Sequence, residues 1–523
     1  MPGSRDKTLI LFLGVALSLS WLFLSRLSHG IDLAWLPASW QAGFAYEVDN
    51  NLMPTGTYLV VHLVSSVALI FVVFRLRDRS IGWVPIVFFA LLVRLCAIPG
   101  EPIHESDFYR YLWDGKSAGA EINPYRFEPG ALYLHENGIS TPFDDPSTGV
   151  TWQAREFSIA EEESLSQLAS IRDGNPVEFS RVSHPAVPTI YPPVAQWVFF
   201  LTAAVSGWSA VGLKLVLLLF DMGIVCLLVG LLKRLGRNPI WALLYAWNPL
   251  VIKEFANSAH YDAIPVFFCL AGLWIAVVDQ NEMRRAILIG VALALGFLAK
   301  YFAILLLPVL LMAPFSSEKT GLLQICRAAR SLSVYAGVVA FVLTAILGFV
   351  PFAYWDDIGI GRLFAGLAIY REHWQYNPGV FALLRRGLEI AGDTNAFRHA
   401  GWISGVLLVG VVLWQSLRRG GEPVILGEKC LIVISALFVL SPTAFPWYLC
   451  WVLVFLPIRP RWSWLILGVL WPLNYLDFKS TEVAPIAHWS LGGFYVLSGS
   501  IWLFFLVMWA AEYARGKSRC HSP

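Results

Sequence analysis

Thr8-Leu-Ile-Leu-Phe-Leu-Gly-Val-Ala-Leu-Ser-Leu-Ser-Trp-Leu-Phe-Leu-Ser-Arg26 carries no charged side chain before its last residue. At about 1.5 Å per residue such a run crosses a roughly 30 Å hydrocarbon core. Arg5 and Lys7 precede it, as in a signal peptide, but no small-x-small cleavage pattern follows directly. It therefore reads as a retained signal-anchor helix. Further apolar runs lie near 57–74, 81–98, 211–232, 239–252, 263–279, 286–299, 301–314, 332–350, 400–417, 430–458, 462–476 and 490–511. The 430–458 run reads as one crossing or two.

The composition agrees. Of 523 residues 57% are hydrophobic and 14% charged, with a mean hydropathy of +0.62. Soluble domains carry roughly 45–50% apolar and about 25% charged residues. The expected fold is an all-α polytopic membrane protein of about 12–14 transmembrane helices, with a long extracytoplasmic loop after the third. Three parts are expected: a three-span segment over 1–98, an acidic loop over 99–190, and a transmembrane core over 191–523. The core carries outer loops at 351–399 and 474–489.

Lys and Arg in short loops set the orientation. The clusters are Arg5/Lys7, Arg75/Arg77/Arg79, Lys233/Arg234/Arg237, Arg284/Arg285, Lys319/Arg327/Arg330, Arg418/Arg419, Arg459/Arg461 and Arg515/Lys517/Arg519. Placing all of them in the cytoplasm gives one alternating topology with a single conflict, Tyr191–Trp208. That stretch either dips into the membrane and returns, or Lys233–Arg237 breaks the rule. The other face receives 27–56, 99–190, 351–399 and 474–489. Between Pro99 and Val187 there are 15 acidic residues against 6 Lys or Arg. Glu161–Glu163, within that loop, reads as a solvated turn.

No cytoplasmic loop is long enough for a nucleotide-binding domain, and neither a GxGxxG nor a Walker A sequence occurs. No nucleic-acid partner is expected. Chemistry then has to use the outer face and a substrate already there. None of the 7 cysteines falls in the long outer loops, which argues against a disulfide framework or a thiolate zinc site.

His104-Glu-Ser-Asp-Phe-Tyr-Arg-Tyr-Leu-Trp-Asp-Gly115 follows the third span. Ser106 can cap a helix from Asp107, with Gly119 or Asn123–Pro124 ending it. Asp107, Arg110, Tyr111 and Asp114 then share one face, while Phe108, Tyr109, Leu112 and Trp113 suit the membrane interface. Such a helix holds carboxylates at the bilayer lip. A salt-bridged interfacial helix without a catalytic role fits the spacing equally well.

His184-Pro-Ala-Val-Pro-Thr-Ile-Tyr191-Pro-Pro closes the acidic loop and can aim His184 and Tyr191 into a pocket, although a stiff loop-to-helix junction explains the prolines alone. Lys253, Glu254, His260 and Asp262 cluster between two apolar helices, where ionisable groups default to a functional reading. A snorkelling Lys253 paired with Glu254 is the plainer account. Lys300, Arg371, Arg385 and Arg386 disobey the positive-inside rule; outer cations suit a phosphate. Lys300–Tyr301 reads as a tight outer hairpin, and Arg371 with His373 sits on the last long outer loop. Ser441-Pro-Thr-Ala-Phe-Pro-Trp-Tyr-Leu-Cys450 reads as either a Pro-broken hairpin with an aromatic belt or a substrate platform through Trp447 and Tyr448.

On these residues the chain resembles the GT-C membrane glycosyltransferases, which take a sugar from a polyprenyl-phosphate carrier. Glu105-Ser-Asp107 looks like their modified acidic pair. Asn123-Pro-Tyr125 and Tyr191-Pro-Pro193 resemble segments of polyprenol-phosphate-mannose-dependent mannosyltransferases. Trp447-Tyr-Leu-Cys450 with Leu456–Pro457 is similar to a stretch in the catalytic subunit of the first glycosylphosphatidylinositol mannosyltransferase. Such enzymes usually carry the acidic pair after the first span; here two further spans precede it.

The resemblance implies transfer of a hexosyl residue, mannosyl by likeness, from a polyprenyl-phosphate sugar to an extracytoplasmic hydroxyl of a glycan, glycolipid or protein, with inversion. Asp107 would be the base, with Glu105 and Asp114 orienting it or the acceptor. Substrate would be held by His104, Arg110, Tyr111, His184, Tyr191, Lys253, His260, Asp262, Lys300, Arg371, His373, Trp447 and Tyr448. No obligatory cofactor or metal is implied, although a divalent ion is compatible with Glu105 and Asp107. A lipid-sugar flippase would more often keep ionisable groups mid-span, and Arg94 and Asp221 are the main candidates there. A non-catalytic subunit of a glycan-assembly complex is the third reading.

Overall fold

A computed structural model describes residues 4–29, 52–79, 81–137, 143–144, 151–152, 157–317, 321–479 and 491–519. Most of the expected outer segment 27–56, Lys319 and 480–489 lie outside the described residues.

The protein is an all-α polytopic membrane protein; the described strands are a two-residue ladder pairing Phe143–Asp144 with Thr151–Trp152. Six helices are long and apolar enough to cross a membrane: Arg5–Ser28, Pro54–Leu76, Ala210–Arg234, Leu332–Tyr354, Ala396–Leu417 and Pro423–Leu440. Leu332–Tyr354 leaves Val339, Leu343, Ile346 and Leu347 at least half exposed, an apolar face of the kind that suits a membrane. It packs on Glu282–Ala299 through small residues, as membrane helices do. A Cβ on Gly290 would lie 2.1 Å from the Gly337 carbonyl oxygen.

Other crossings are broken. The 239–257 stretch is assembled from Pro239–Ala242, Leu243–Ala246, Pro249–Val251 and a π-turn at Ile252–Asn257. Pro239 and Pro249 each lack an N–H and sit where a new piece starts. The 430–458 run is likewise split at Ser441–Phe445 into Pro423–Leu440 and the short helices Pro446–Leu449 and Cys450–Leu453. Irregular backbone inside a membrane protein is tolerated where it is enclosed by protein, and these pieces are buried.

The conflict at Tyr191–Trp208 resolves as a helix that does not cross. Pro193–Ser206 has 14 residues, about 21 Å, and lies along Asp107–Gly119. Its far end returns to the same neighbourhood, Gly207 sitting beside Lys116. The next helix starts at that level, because Lys214 Nζ donates to the Ile98 and Gly100 carbonyls. It ends at the basic end, where Lys233 lies over Trp83 and Asn238 bonds Arg77.

Two local readings change. Glu161 and Glu162 form the first turn of a helix, Ile159–Asp173, closed by a Ser158–Glu161 capping box. Phe108, Tyr109, Leu112 and Trp113 do not face lipid; all four are buried beneath the non-crossing helix and its neighbours.

Candidate active site

The Asp107–Gly119 helix begins at the predicted residue by a different cap. Ser106 makes no side-chain cap bond; Glu105 Oε1 accepts the N–H groups of Ser106 (3.2 Å) and Asp107 (3.4 Å). A carboxylate there also meets the positive end of the helix dipole. Further along, Arg110 Nε pairs with Asp114 Oδ1 at 2.9 Å, both buried. Arg110 Nη1 donates to the Val187 carbonyl at 2.9 Å. Asp114 Oδ2 accepts from Thr189 and from Gln196, the latter at 3.1 Å. This pair pins the 184–196 segment to the helix. Tyr111 stacks on Phe199 at 4.7 Å and meets Tyr191 and Tyr261 edge-on.

The π-turn and the loop after it bring three ionisable side chains, Lys253, Glu254 and His260, to the Glu105 side. Asn257 Oδ1 accepts the Ile103 N–H at 2.8 Å and its Nδ2 donates to the Glu101 carbonyl at 3.0 Å, holding the two segments together. His260 Nε2 lies 3.1 Å from Glu105 Oε2 and 3.3 Å from Glu254 Oε2, and Glu254 also pairs with Lys253 at 3.3 Å. Lys253 thus does have Glu254 as partner, but it is fully buried, over the Tyr475 ring, rather than snorkelling. Trp447 stacks on the His260 ring at 4.3 Å.

Lys300 ends the Glu282–Ala299 helix in extended backbone, as the hairpin reading requires. Its Nζ lies 2.6 Å from Asp262 Oδ1, which also accepts from Trp451 Nε1 at 2.6 Å. Rings of Tyr261, Tyr448 and Trp451 surround the ammonium at 4.6–4.9 Å, within cation–π reach.

Asp107 stands between these groups, partly open, accepting from Ser183 Oγ at 3.3 Å. Burial, and then the Glu105 charge, push its carboxyl up from 3.8 to about 6; His260 and Lys300 oppose the rise. Burial also works to raise Glu105, but the His260 and Lys253 charges outweigh it and hold that carboxyl down at about 2. For His260 the burial penalty loses to Glu105, so its pKa is raised. Two carboxylates two residues apart are therefore pushed to opposite sides of their usual range, a pattern that separates acid–base roles.

Three non-glycine residues around this point occupy left-handed backbone: His104 (φ 56°), His184 (φ 51°) and Ala259 (φ 60°). The His104 ring faces Tyr475 at 5.6 Å and the His184 ring faces Trp374 at 4.7 Å. Arg371 and His373 point elsewhere: Arg371 is 76% exposed beside Glu372, and His373 bonds the Ile369 carbonyl of its own helix. The same helix, Ala365–His373, instead sends Tyr370 to Tyr448, their hydroxyls 3.1 Å apart. Tyr370, Trp374, Tyr261, Trp451 and Ser183 are site neighbours that charge-based sequence reasoning passed over. Tyr370 was findable, since it immediately precedes Arg371, one 100° step back along the same helix.

Arg94 and Asp221 form a bidentate pair at 2.6 and 3.2 Å, 0% and 1% exposed. Arg94 also donates to the Ala90 and Ala246 carbonyls, and Tyr245 donates to Asp221. Among the described residues no group of three or more His, Cys, Asp or Glu is arranged to hold a metal ion.

Residues 185–316 match the family alpha-(1->6)-mannopyranosyltransferase, N-terminal domain, and residues 382–470 match the MptB C-terminal domain family. Lys253, Glu254, His260, Asp262 and Lys300 lie in the first segment; Trp447, Tyr448 and Trp451 lie in the second. Glu105 and Asp107 precede both. An undecaprenyl phosphate-alpha-4-amino-4-deoxy-L-arabinose arabinosyl transferase of Pseudomonas aeruginosa strain UCBPP-PA14 is 28% identical over 281 residues, 49% of this chain and 46% of that protein. The protein of the same name in strain LESB58 is 32% identical over 133 residues, 24% of each chain. The chain thus covers about half of the first relative's length and about a quarter of the second's. No solved structure matches it. With mannosyltransferase-family segments supplying most of the groups around Asp107, the chain resembles the GT-C membrane glycosyltransferases and, among them, the mannosyltransferases.

Proposed function

We propose that this protein is an integral-membrane glycosyltransferase that moves a hexosyl residue, mannosyl by resemblance, from a polyprenyl-phosphate sugar to an acceptor hydroxyl on the extracytoplasmic face. The observation that carries the reading is the placement of Asp107, a partly open carboxyl at the start of its helix between Glu105 and Ser183, where burial and Glu105 push it up to about 6 and Lys300 opposes the rise. A base with a pKa just below neutrality is ionised at pH 7 yet still basic enough to take a proton.

Asp107 takes the acceptor O–H proton as that oxygen attacks the anomeric carbon. A new C–O bond forms, the bond from that carbon to the lipid phosphate breaks, and the electron pair leaves on the phosphate. Lys300 stabilises the departing charge. A single displacement inverts the anomeric centre. Glu105 holds His260 cationic and Asp107 in place, and the Arg110–Asp114 pair fixes the 184–196 wall. The rings of Tyr448, Tyr370 and Trp374 offer faces for a sugar, while Trp447, stacked between His260 and Phe445, backs the wall. No step calls for a metal. Arg94 and Asp221, fully bonded to each other and to neighbouring backbone, lend nothing to a flippase reading.

The test is transfer of radiolabelled sugar by the purified protein from polyprenyl-phosphate-mannose, and in parallel from the glucose, galactose and arabinose analogues. Transfer from one of them that collapses in Asp107→Asn supports the enzyme. If wild-type protein transfers nothing from any, the proposal fails; transfer from another sugar retains the enzyme and removes mannose.

A further inference from the structure

At the end of the bundle away from Asp107, two basic clusters far apart in sequence, represented by Arg237 and by Arg459 with Arg461, meet around a cavity of about 290 Å³. Phe74, Arg237, Trp241, Arg459, Pro460, Arg461 and Trp462 line it. We propose that this cavity binds the phosphate group of an anionic lipid head group.

Charge is the first argument. Glu428 is the carboxylate that serves this wall, and it is shared among Arg461, Arg459 at 3.6 Å and Arg418 at 3.9 Å. Arg237 pairs with no carboxylate among the described residues; its Nη1 donates to the Ile458 carbonyl. Each guanidinium has five N–H donors, so the cavity keeps both excess positive charge and unspent donors.

Arrangement is the second. Phe74 stacks on Trp462 at 4.3 Å, Trp241 stands edge-on to Phe74 at 5.4 Å, and the Arg237 guanidinium lies over Trp241 at 5.5 Å. The rings hold Arg237 in a fixed plane, the geometry that suits a phosphate fork. Position is the third. Phe74 lies in the last turn of Leu52–Leu76, Arg237 follows Ala210–Arg234, and Arg459–Trp462 turn between two crossings. Half-exposed Trp462 beside arginines at the ends of apolar helices is the composition found at head-group level, and basic pockets between helix ends take lipid phosphates.

The measurement is native mass spectrometry of the full chain released from mixed micelles of phosphatidylcholine and phosphatidylglycerol, repeated with a titration of inorganic phosphate. Wild type is expected to retain phosphatidylglycerol. Arg237→Gln/Arg459→Gln should bind it about thirtyfold more weakly, at roughly fivefold per charge. Arg459→Gln alone, at a half-exposed position that folding does not need, should lose about fivefold. Arg284→Gln, at the same end but paired with Asp279, should lose nothing. Binding of phosphate without lipid, abolished by the same variants, keeps the anion site and makes its ligand soluble. Absence of both ligands from wild type, or equal retention in the double variant and Arg284→Gln, overturns the proposal.

Discussion

If Asp107 is the base, replacing a residue that never meets the substrate should move the pH profile in a known direction. Asp107 is ionised above about 6, so the first-order rate with limiting donor should be flat above pH 7 and fall as the pH drops. At pH 5 about one tenth of the molecules carry the carboxylate, and the rate should stand near a tenth of its plateau. Glu105→Gln removes the second-largest cause of the raised pKa and leaves burial, the largest, in place. His260 keeps Glu254 beside it at 3.3 Å, and Lys300 keeps Asp262. The acid limb must then shift to lower pH by part of the rise from 3.8 to about 6. A shift on the order of one unit would lift the pH 5 rate from about a tenth to about half of the variant's own plateau. The assay is kcat/KM for the labelled polyprenyl-phosphate sugar between pH 4.5 and 8. A limb that stays put or moves to higher pH would refute the electrostatic reasoning, and Asp107→Asn should lose about 10²–10⁴ in rate at every pH.

Lys300→Gln should cost roughly 10–100-fold in kcat/KM, the worth of a charge-assisted bond to phosphate, while exposed Arg371→Gln should stay within about threefold in the same assay. Asp221→Asn leaves Arg94 buried without its partner and should destabilise by roughly 3–5 kcal/mol in thermal unfolding, much of it recovered in Arg94→Met/Asp221→Leu. Gly115→Ala puts a Cβ 2.2 Å from the Phe199 carbonyl oxygen, so Asp107–Gly119 and Pro193–Ser206 must separate. Thermal unfolding should register a loss of about 1–3 kcal/mol, with transfer activity falling alongside. A thiol introduced as Glu162→Cys lies on an exposed helix and should react with an impermeant reagent added outside intact cells; protection would reverse the orientation.

Much of this was legible because it is local. Apolar length gives the long spans, and the Asp107–Gly119 helix starts at the expected residue and ends at Gly119, the first of the two stops that the sequence offers. The Lys300 turn was visible as a charge interrupting an apolar run. What escaped notice depends on partners distant in sequence. The aromatic face of Asp107–Gly119 looked fit for lipid because nothing local says that Phe179, Arg181 and Trp208 close over Tyr109 and Trp113. Arg94 and Asp221 are 127 positions apart, and only packing reveals that they neutralise each other. On Ala365–His373 the charges drew the eye to Arg371 and His373, whereas the side chain that enters the site is the neutral Tyr370 between them and the core.

The left-handed backbone at His104, His184 and Ala259 sets a limit on improving this protein. Each such residue costs on the order of 1 kcal/mol or more, and the three lie on the separate segments that converge at Asp107. Glycine would relieve each of them. A selection for thermostability alone should therefore converge on glycine at these positions, and the same changes would loosen the frame that keeps base and ammonium apart. Stability and turnover would be traded at three residues, none of which needs to touch the sugar.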